Sequence, residues 1–357
     1  MRVLFLSTSG SCLGLAGRVA AEGHDVEVFI TDPVMHSCGG GIVKRPVSWR
    51  PSLPHADLIV ADCQDFSCYE TAIRKFGKPA LGVSLQTELF EYTEKFFELC
   101  DKLEIRRWEE EQYGSFTVPS SDSVSLRVEG WWNGRDFVQP FLLIFRDVRL
   151  LTGYLGPEVE SMGSTVLALP SCRLTQVTLE KLRPFLNKVS YRGPVSIQLL
   201  VGEEKAVALR SAASLQFDET EAFMEGLREP ILDVLFETAT GAKKKFEVSD
   251  DTMISVRMIT FSGGPLEVRD PKALEHVWLS DVQKMGSMYF CPGGRKVVLK
   301  ATAIGRRQED KKDYTREARN RVYRTLSNVD LPDKAYRLDI GEAVNGYMET
   351  LKKWGWL

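Results

Sequence analysis

The first residues of this sequence that could do chemistry lie in a small-residue loop near the N-terminus. Ser9-Gly10-Ser11-Cys12-Leu13-Gly14 follows an apolar run and precedes a helical pattern. The backbone N–H groups of such a loop and the positive end of the helix dipole favour an anion such as phosphate. The segment does not match GxGxxG, and a tight turn that needs small residues for packing explains it equally well. The residues therefore indicate either an anion site around Ser9 and Gly10 or a structural turn.

The cysteines and histidines predict neither a metal centre nor a nucleophilic dyad. The seven cysteines form an odd set without CxxC spacing, and the four histidines stand apart from one another in the sequence. Cys63 and Cys68 have no histidine nearby to activate a thiolate. We therefore expect free thiols, no metal ligand, and no catalytic residue that the sequence alone can assign.

Composition excludes several classes of protein. The chain has 357 residues, 43% of them apolar and 27% charged, and a formal net charge of -3, which gives no global drive toward nucleic acid or an anionic membrane. The longest apolar runs are much shorter than the roughly 20 residues of a spanning helix. The first strand-length segment lacks the basic start of a signal peptide. A cytoplasmic protein is expected, in the host cytoplasm if its origin is viral.

The elements that must position the loop begin with an α/β unit at residues 1–86. Four short apolar runs read as buried strands, with a helix after the loop that ends at Gly23. Such runs predict an open, parallel sheet with helices on its faces. The runs cover residues 3–7, 26–30, 58–61 and 80–83.

Two further units are predicted, a central one at residues 87–240 and a β-rich C-terminal one at 241–357 with terminal helices. Both units are predicted from short apolar runs that indicate strands separated by turns. Helices are predicted in the central unit at 178–189 and 218–238. Trp131-Trp132-Asn133-Gly134 is interpreted as a hairpin turn with flanking aromatic residues rather than as a ligand platform. Ligands are expected in the cleft between the N-terminal strand ends and the central unit. The predicted strands are 124–128, 137–145, 166–169, 195–201, 207–209, 253–261, 277–279 and 297–303.

Several segments together resemble one known family. Val128-Glu129-Gly130-Trp131-Trp132-Asn133-Gly134-Arg135-Asp136-Phe137 is similar to a strand pair with the motif E-x-F-x-G-x-E/D, and residues 151–163 fall where that family has D-x-G-P-N-T-G-G-M-G. Tyr336-Arg337-Leu338-Asp339-Ile340-Gly341 resembles its Y-R-x-D-I-G signature. Residues 1–26 resemble its first strand, loop and helix. The family is the phosphoribosylamine–glycine ligases of purine synthesis, which are ATP-grasp enzymes, and the resemblance is particularly to the compact versions found in phage genomes.

This resemblance implies an ATP-grasp architecture with a Rossmann-like N-domain, a central nucleotide-binding region and a small β-rich C-domain. In such ligases ATP phosphorylates a carboxylate, an amine attacks the acyl phosphate, and Mg²⁺ on carboxylate and amide oxygens shields the phosphates. ATP and Mg²⁺ are therefore the implied cofactors if the activity is retained. The resemblance carries Gly156, Pro157, Arg337 and Asp339 over as substrate-binding residues.

The sequence departs from the family at three places that serve catalysis. The metal-binding strand L-E-F-N-x-R-F-G-D aligns with residues 209–218, where Arg210 replaces the acid and Ala212 replaces the amide. In the substrate loop Glu158 and Glu160 stand where the family has asparagine and glycine. Only a short link at residues 104–123, which includes Glu109-Glu110-Glu111, stands in place of the lid over ATP. We expect a reduced central region that lacks the lid.

These departures predict a catalytically degenerate descendant that binds a small phosphorylated metabolite or a protein partner. The alternative is an active carboxylate–amine ligase of altered mechanism, in which Arg210 holds a phosphate directly. A third hypothesis is a structural protein that has kept the fold but binds no ligand. The small residues of the N-terminal loop argue against it, because packing alone tolerates larger ones. The candidate binding residues are Ser9, Gly10, Gly156, Pro157, Arg210, Arg337 and Asp339.

Overall fold

The N-terminal unit is an open α/β fold, as predicted. The computed structural model describes residues 1–90, 92–109, 123–293, 297–308, 310 and 313–357. Four parallel strands pair in the order β2-β1-β3-β4. The apolar runs of β1, β3 and β4 are buried on both faces, as is usual in parallel sheets, whereas β2 at the sheet edge is fully buried only at Val26 and Val28. The elements are β1 (Arg2–Ser7), α1 (Leu13–Ala21), β2 (Asp25–Ile30), β3 (Leu58–Ala61), α2 (Glu70–Arg74) and β4 (Ala80–Leu81).

The rest of the described chain is built mainly from antiparallel strands. Its first part comprises α3 (Thr93–Lys102), β5 (Val124–Trp132), β6 (Phe137–Leu151), β7 (Leu155–Leu169), α4 (Arg173–Gln176), α5 (Arg183–Leu186), β8 (Gly193–Val201), β9 (Ala206–Ala212), α6 (Glu219–Glu225) and α7 (Ile231–Thr240). Its second part comprises β10 (Thr252–Ile259), β11 (Gly264–Val268), β12 (Val277–Leu279), β13 (Gln283–Met285), β14 (Met288–Cys291), β15 (Val297–Gly305), α8 (Arg316–Ser327), β16 (Val329–Asp330) and α9 (Val344–Lys353).

One eight-stranded sheet joins these two parts. Its strands run in the order β12-β15-β10-β7-β6-β5-β8-β9, and each neighbouring pair is antiparallel. The pairing of β7 with β10, for example Val166 with Met253, links residues on either side of position 240. A smaller sheet has the order β13-β14-β11-β16. The predicted division at residue 240 stays a prediction, and it falls within the sequence of a continuous sheet.

Two predicted helices contain a proline and are not single α-helices. The segment predicted as a helix over 178–189 is helical only at 179–186, where a 3-10 turn at Leu179–Leu182 leads directly into α5 and Pro184 lacks the N–H that a continuous α-helix would need. The helix predicted over 218–238 is two helices, because Pro230 separates α6 from α7. The helix predicted between the N-terminal loop and Gly23 is present as α1, and the predicted terminal helices are α8 and α9.

The segment expected to be a substrate loop is half of a long hairpin. β6 and β7 are each 15 residues long, and only residues 152–154 turn between them. Arg149 lies opposite Glu158, and their side chains form an ion pair of 3.1 Å between Nη2 and Oε1. Cross-strand pairs of opposite charge stabilise antiparallel strands. The carboxylate that departs from the family motif therefore helps to hold strand structure here.

The hairpin turn after Trp132 is confirmed. Trp131 and Trp132 are buried at the end of β5, and the Asn133 side chain accepts hydrogen bonds from the backbone N–H groups of Arg135 and Asp136, both at 2.9 Å. All seven cysteines are free thiols. Across the ranges described above, no helix is long and apolar enough to cross a membrane. Most of the link at 104–123 lies outside the described residues, so the expected loss of the lid stays a prediction.

Candidate functional site

Two cavities border the face of the eight-stranded sheet on which α6 packs. The first has a volume of about 340 Å³, and polar side chains of β5, β6, β8 and β9 lie on its floor. Arg127 on β5 lies opposite Gln198 on β8, which lies opposite Arg210 on β9. Side chains in register across neighbouring strands point to the same face. We call Arg127, Gln198, Arg210 and the adjacent Arg146 of β6 the arginine row.

The inner end of the arginine row is balanced by a buried carboxylate. Glu219, at the start of α6, lies 3.1 Å from Nε of Arg146 and 3.4 Å from Nη1 of Arg127. Arg127 also donates from Nη1 to Oε1 of Gln216 at 2.9 Å, and its burial lowers the pKa of the guanidinium. Its Nε–H group is buried and has no hydrogen-bond partner among the residues that the structure describes. Because an unpaired buried donor is costly, this atom favours an acceptor supplied from outside the chain.

The other walls of the first cavity are aromatic, aliphatic and acidic. Tyr347 stacks on Phe145 with 5.7 Å between ring centroids, and Trp108 and Tyr154 also line the space. Asp147 lies at the rim beside the row, and burial raises the pKa of its carboxyl to about 6 although Arg337 acts in the opposite direction. The cavity thus combines guanidinium groups with flat apolar surfaces.

The second cavity, of about 400 Å³, lies between the N-terminal loop and the sheet. Ser9 and Gly10 line one side, and Arg257 of β10 and Lys300 of β15 line the other. Lys300 donates from Nζ to Oε1 of Glu221 at 2.8 Å. The expected cleft between the N-terminal strand ends and the remaining chain is therefore present, and the structure brings both predicted loop residues to it.

The amides of the N-terminal loop are largely used within the loop itself. The N–H of Gly10 donates to Oγ of Ser7 at 2.8 Å, and the N–H of Cys12 donates to Oδ2 of Asp62 at 3.1 Å. Gly10 has φ of +76°, a conformation in which a side chain would be strained. The interpretation of the loop as a structural turn therefore explains these two amides. Ser9 and Ser11, whose hydroxyls are hydrogen-bonded to each other, line the cavity.

Asp62 is a site residue that the sequence analysis missed. It follows β3 directly, is buried at the second cavity, and accepts a hydrogen bond of 2.6 Å from Oγ of Ser7. Burial raises the pKa of its carboxyl to about 6, although the hydrogen bonds from Ser7 and Cys12 act in the opposite direction. A polar residue at the carboxyl end of a parallel strand was the available signal.

Replacing Asp62 with Asn should flatten the pH dependence of stability below neutrality. Because the folded state favours the protonated carboxyl, the native protein gains this stability in full below about pH 4 and loses about 3 kcal/mol as pH rises through about 6. Asp62→Asn keeps an acceptor for Ser7 and carries no charge, so it should be the more stable protein at pH 7. Urea unfolding between pH 4 and pH 7 measures both curves, and parallel curves would contradict the expectation.

Arg257 and Asp218 form a buried ion pair behind the second cavity. Nε of Arg257 lies 2.6 Å from Oδ1 of Asp218, and Nη2 donates to the carbonyl oxygen of Phe217 at 3.1 Å. Asp218 has φ of +108°, which costs a non-glycine residue about 1–3 kcal/mol. Its backbone N–H donates to Oε2 of Glu221 at 2.8 Å. Such strain persists only where the surroundings determine it, so the position of Arg257 is fixed by the fold.

Four of the predicted binding residues lie outside the lining of both cavities. Gly156 and Pro157 are exposed on β7. Arg337 is buried and makes two hydrogen bonds of 2.8 Å to Asp339, with a further 3.3 Å contact to Asp147. The N–H of Gly153 donates to Oδ2 of Asp339 at 2.9 Å. Burial opposes ionisation of Asp339, but the hydrogen bonds from Arg337 and Gly153 prevail and lower its pKa.

These contacts indicate that Arg337 and Asp339 stabilise the structure. Together with Asp147 and Gly153 they tie the tip of the β6–β7 hairpin to the segment before α9, and Nη1 of Arg337 also donates to the carbonyl oxygen of Arg149 at 3.0 Å. We call this group the hairpin clasp. Because Asp147 and the adjacent Tyr154 line the first cavity, the hairpin clasp fixes one wall of that cavity, while Arg337 and Asp339 themselves are not among its lining residues.

The positions where the resemblance places magnesium ligands do not fit the ion. Arg210 stands at the position of the acid and Ala212 at that of the amide. A guanidinium has no acceptor and stays protonated, and a methyl group has no donor atom for a metal. Within the described part of the chain, no group of three or more His, Cys, Asp or Glu side chains is placed to hold a metal ion. A phosphate is the natural counterpart of the arginine row.

Comparisons with known proteins agree with the resemblance seen in the sequence. No family model matches the chain. Phosphoribosylamine–glycine ligase of Streptomyces coelicolor is 27% identical over 222 residues, which cover 56% of this chain and 51% of that protein. The chain thus spans about half the length of this curated relative. The sequence similarity to phosphoribosylamine–glycine ligase is therefore confirmed over part of the chain.

Solved structures show the fold over nearly the whole chain. A phosphoribosylamine–glycine ligase from Thermotoga maritima matches with a TM-score of 0.72 and 17% identity, covering 96% of this chain and all of that one. Biotin carboxylase from Campylobacter jejuni matches with a TM-score of 0.65 and 10% identity over 98% of this chain and 96% of its own. N5-carboxyaminoimidazole ribonucleotide synthetase from Thermotoga maritima gives 0.59 and 10%, covering 93% and 99%. The fold is that of the ATP-grasp enzymes.

Proposed function

We propose that the chain is a binding protein for a small phosphorylated metabolite, built on a ligase-like scaffold that has lost its catalytic metal site. The observation that carries this proposal is the arginine row. The guanidinium groups of three arginines and the amide of Gln198 lie on the floor of a single cavity. Arg127 and Arg210 are in register with Gln198 on the two strands that flank it. The ligand meets a preformed cationic surface on a rigid element.

The chemistry of the row favours binding over acyl phosphate formation. A planar guanidinium matches two phosphate oxygens at once, and such charge-assisted pairs are about twice as strong as neutral hydrogen bonds. A ligase of this fold needs a divalent cation to shield the phosphates during transfer. Arg210 supplies positive charge at that position in a form that cannot coordinate the leaving and attacking oxygens. Ground-state binding of an anion is then retained while stabilisation of the transition state is lost.

The cavity walls narrow the class of ligand. Leu200, Leu209 and the stacked ring of Tyr347 border the arginine row, so a ligand with a flat or apolar portion beside its phosphate gains burial there. The second cavity adds the hydroxyls of Ser9 and Ser11, which suit the hydroxyl groups of a sugar. A sugar phosphate or a nucleotide combines these features.

Replacing Arg210 with Glu should weaken binding of a phosphorylated ligand by about 10–100-fold. The change removes a charge-assisted hydrogen bond worth about 1.5–3 kcal/mol and adds a repelling carboxylate. Calorimetric titration with ribose 5-phosphate and with ATP, each in EDTA and in Mg²⁺, measures the effect. Wild-type affinity for ribose 5-phosphate should be the same in EDTA and in Mg²⁺. Arg135→Glu makes the same charge change on an exposed hairpin turn and should leave affinity unchanged.

An active ligase of altered mechanism is the second candidate, and the structural match to a whole phosphoribosylamine–glycine ligase favours it. That enzyme reading requires ATP binding that depends on Mg²⁺ and ADP release that depends on an amine such as glycine. Observing both would replace the present proposal. Binding of none of the phosphorylated compounds would instead leave a protein as the partner of this scaffold.

A further inference from the structure

We infer that Arg257 is an anion-binding residue of the second cavity and that the carboxylate of Glu160 occupies it until a ligand arrives. The ligand group would be a phosphate monoester or a carboxylate. This inference rests on the proposed function in one respect, namely that the ligand carries negative charge. It adds the residue that receives the charge and the internal group that competes for it.

Arg257 is held so that one nitrogen remains for a ligand. Its side chain is only 7% exposed, Nε faces Asp218 at 2.6 Å and Nη2 donates to the carbonyl oxygen of Phe217 at 3.1 Å. Nη1 is directed away from these partners and contacts Oε2 of Glu160 at 3.2 Å. A guanidinium fixed on two sides pays little entropy when a third group binds. The geometry therefore presents Nη1 to whatever anion lies in the cavity.

Glu160 is a weak and replaceable partner for this nitrogen. Its side chain is 77% exposed, and ion pairs with an exposed member contribute at most about 1 kcal/mol. Its backbone is fixed separately, because Arg146 donates from Nη2 to the carbonyl oxygen of Glu160 at 2.8 Å. The carboxylate can thus leave Arg257 for solvent without any change in the strand. A ligand anion would replace it at small cost.

The location of Glu160 makes it a competitor rather than a remote surface charge. It lines both cavities, the only side chain that the described linings of these two share. Ser9 and Ser11 line the second cavity together with it. Repulsion between its carboxylate and an entering anion acts over a few ångströms, and charges close to a protein surface interact more strongly than in bulk water. Both displacement and repulsion lower the affinity for anions.

Glu160→Gln tests the inference, and Glu267→Gln is its control. Both changes remove one exposed carboxylate from a strand, but Glu267 lies on β11 and lines neither of the two cavities. The probes are ribose 5-phosphate and inorganic phosphate, titrated calorimetrically in EDTA. We expect Glu160→Gln to bind each probe about 3–10-fold more tightly than wild type, and Glu267→Gln to stay within about twofold.

The outcomes separate this inference from the proposed function. Equal or weaker binding by Glu160→Gln, while wild type binds, overturns the role of Arg257 and leaves the binding protein standing. An equal gain in both variants also overturns it, because simple charge removal then explains the result. Measurable binding by Glu160→Gln alone supports it. If neither probe binds to any of the three proteins, both the inference and the proposed function fail.

Discussion

Asp339→Ala should lower the free energy of unfolding by about 3 kcal/mol, which would make it one of the most damaging single changes outside the apolar core. Asp339 provides both oxygens that pair with Arg337 at 2.8 Å, and its loss leaves a guanidinium whose side chain is 1% exposed. Asp147 at 3.3 Å remains and limits the loss. Urea unfolding at pH 7, followed by tryptophan fluorescence, measures the change.

An exposed ion pair in the same segment provides the comparison. Arg319 contacts Glu342 at 3.4 Å, and Glu342 is 66% exposed, so Glu342→Ala should cost less than about 1 kcal/mol. A loss below about 1 kcal/mol for Asp339→Ala as well would show that the hairpin clasp is not a stabilising unit. Asp339 would then regain its standing as a candidate ligand contact.

Gly163→Ala should cost about 3 kcal/mol. Gly163 lies in β7 where it pairs with Val256 of β10, and an added Cβ would stand 2.5 Å from the backbone oxygen of Ser255 and 3.0 Å from Cγ2 of Ile340. A backbone oxygen cannot move aside as a side chain can, so the two strands must separate. Differential scanning calorimetry should show a melting temperature lowered by several degrees.

Gly346→Ala is the matched control for that substitution. Gly346 lies within α9, and nothing stands within 4 Å of its added Cβ. Alanine there should raise stability by about 0.5–1 kcal/mol, because glycine weakens a helix interior. If Gly163→Ala left the melting temperature unchanged, the close approach of β7 to β10 would be refuted.

The N-terminal unit could be predicted from the sequence because its signals are local. Buried parallel strands need continuous apolar runs, and residues 3–7 and 58–61 have them. The helix that starts at Leu13 ends before Gly23, whose φ of +91° is the left-handed conformation that glycine favours after a helix. Each of these strands and the end of this helix is determined by residues within one turn or one strand.

The arginine row could not be predicted, because it exists only through pairing between distant strands. Arg127, Gln198 and Arg210 are each an ordinary polar residue of an antiparallel strand, and no local spacing connects them. The predicted strand 137–145 ended one residue before Arg146, whereas β6 continues to Leu151. Only the family resemblance singles out Arg210 in the sequence. Register, which sets such a row, depends on the whole sheet.

For the residues of the hairpin clasp, the sequence motif could be recognised but the role of its side chains could not. Their motif was recognisable, but a motif does not reveal whether its charges face a ligand or one another. Arg337 and Asp339 satisfy each other, and with Gly153 and Asp147 they use their hydrogen-bonding capacity within the chain. Fold-level resemblance therefore identifies a segment more reliably than it identifies a contact.

The pairing of β7 with β10 bears on how the protein can be cut into fragments. A fragment ending near residue 240 would retain β5 to β9 but lose β10. The backbone of residues 163–166 of β7, which pairs with β10, would then be unpaired and exposed to solvent. An unpaired, largely apolar strand edge is a template on which other chains add. Pairing with β10 thus keeps this edge from aggregating, and any fragment designed to contain the cavities must include β10.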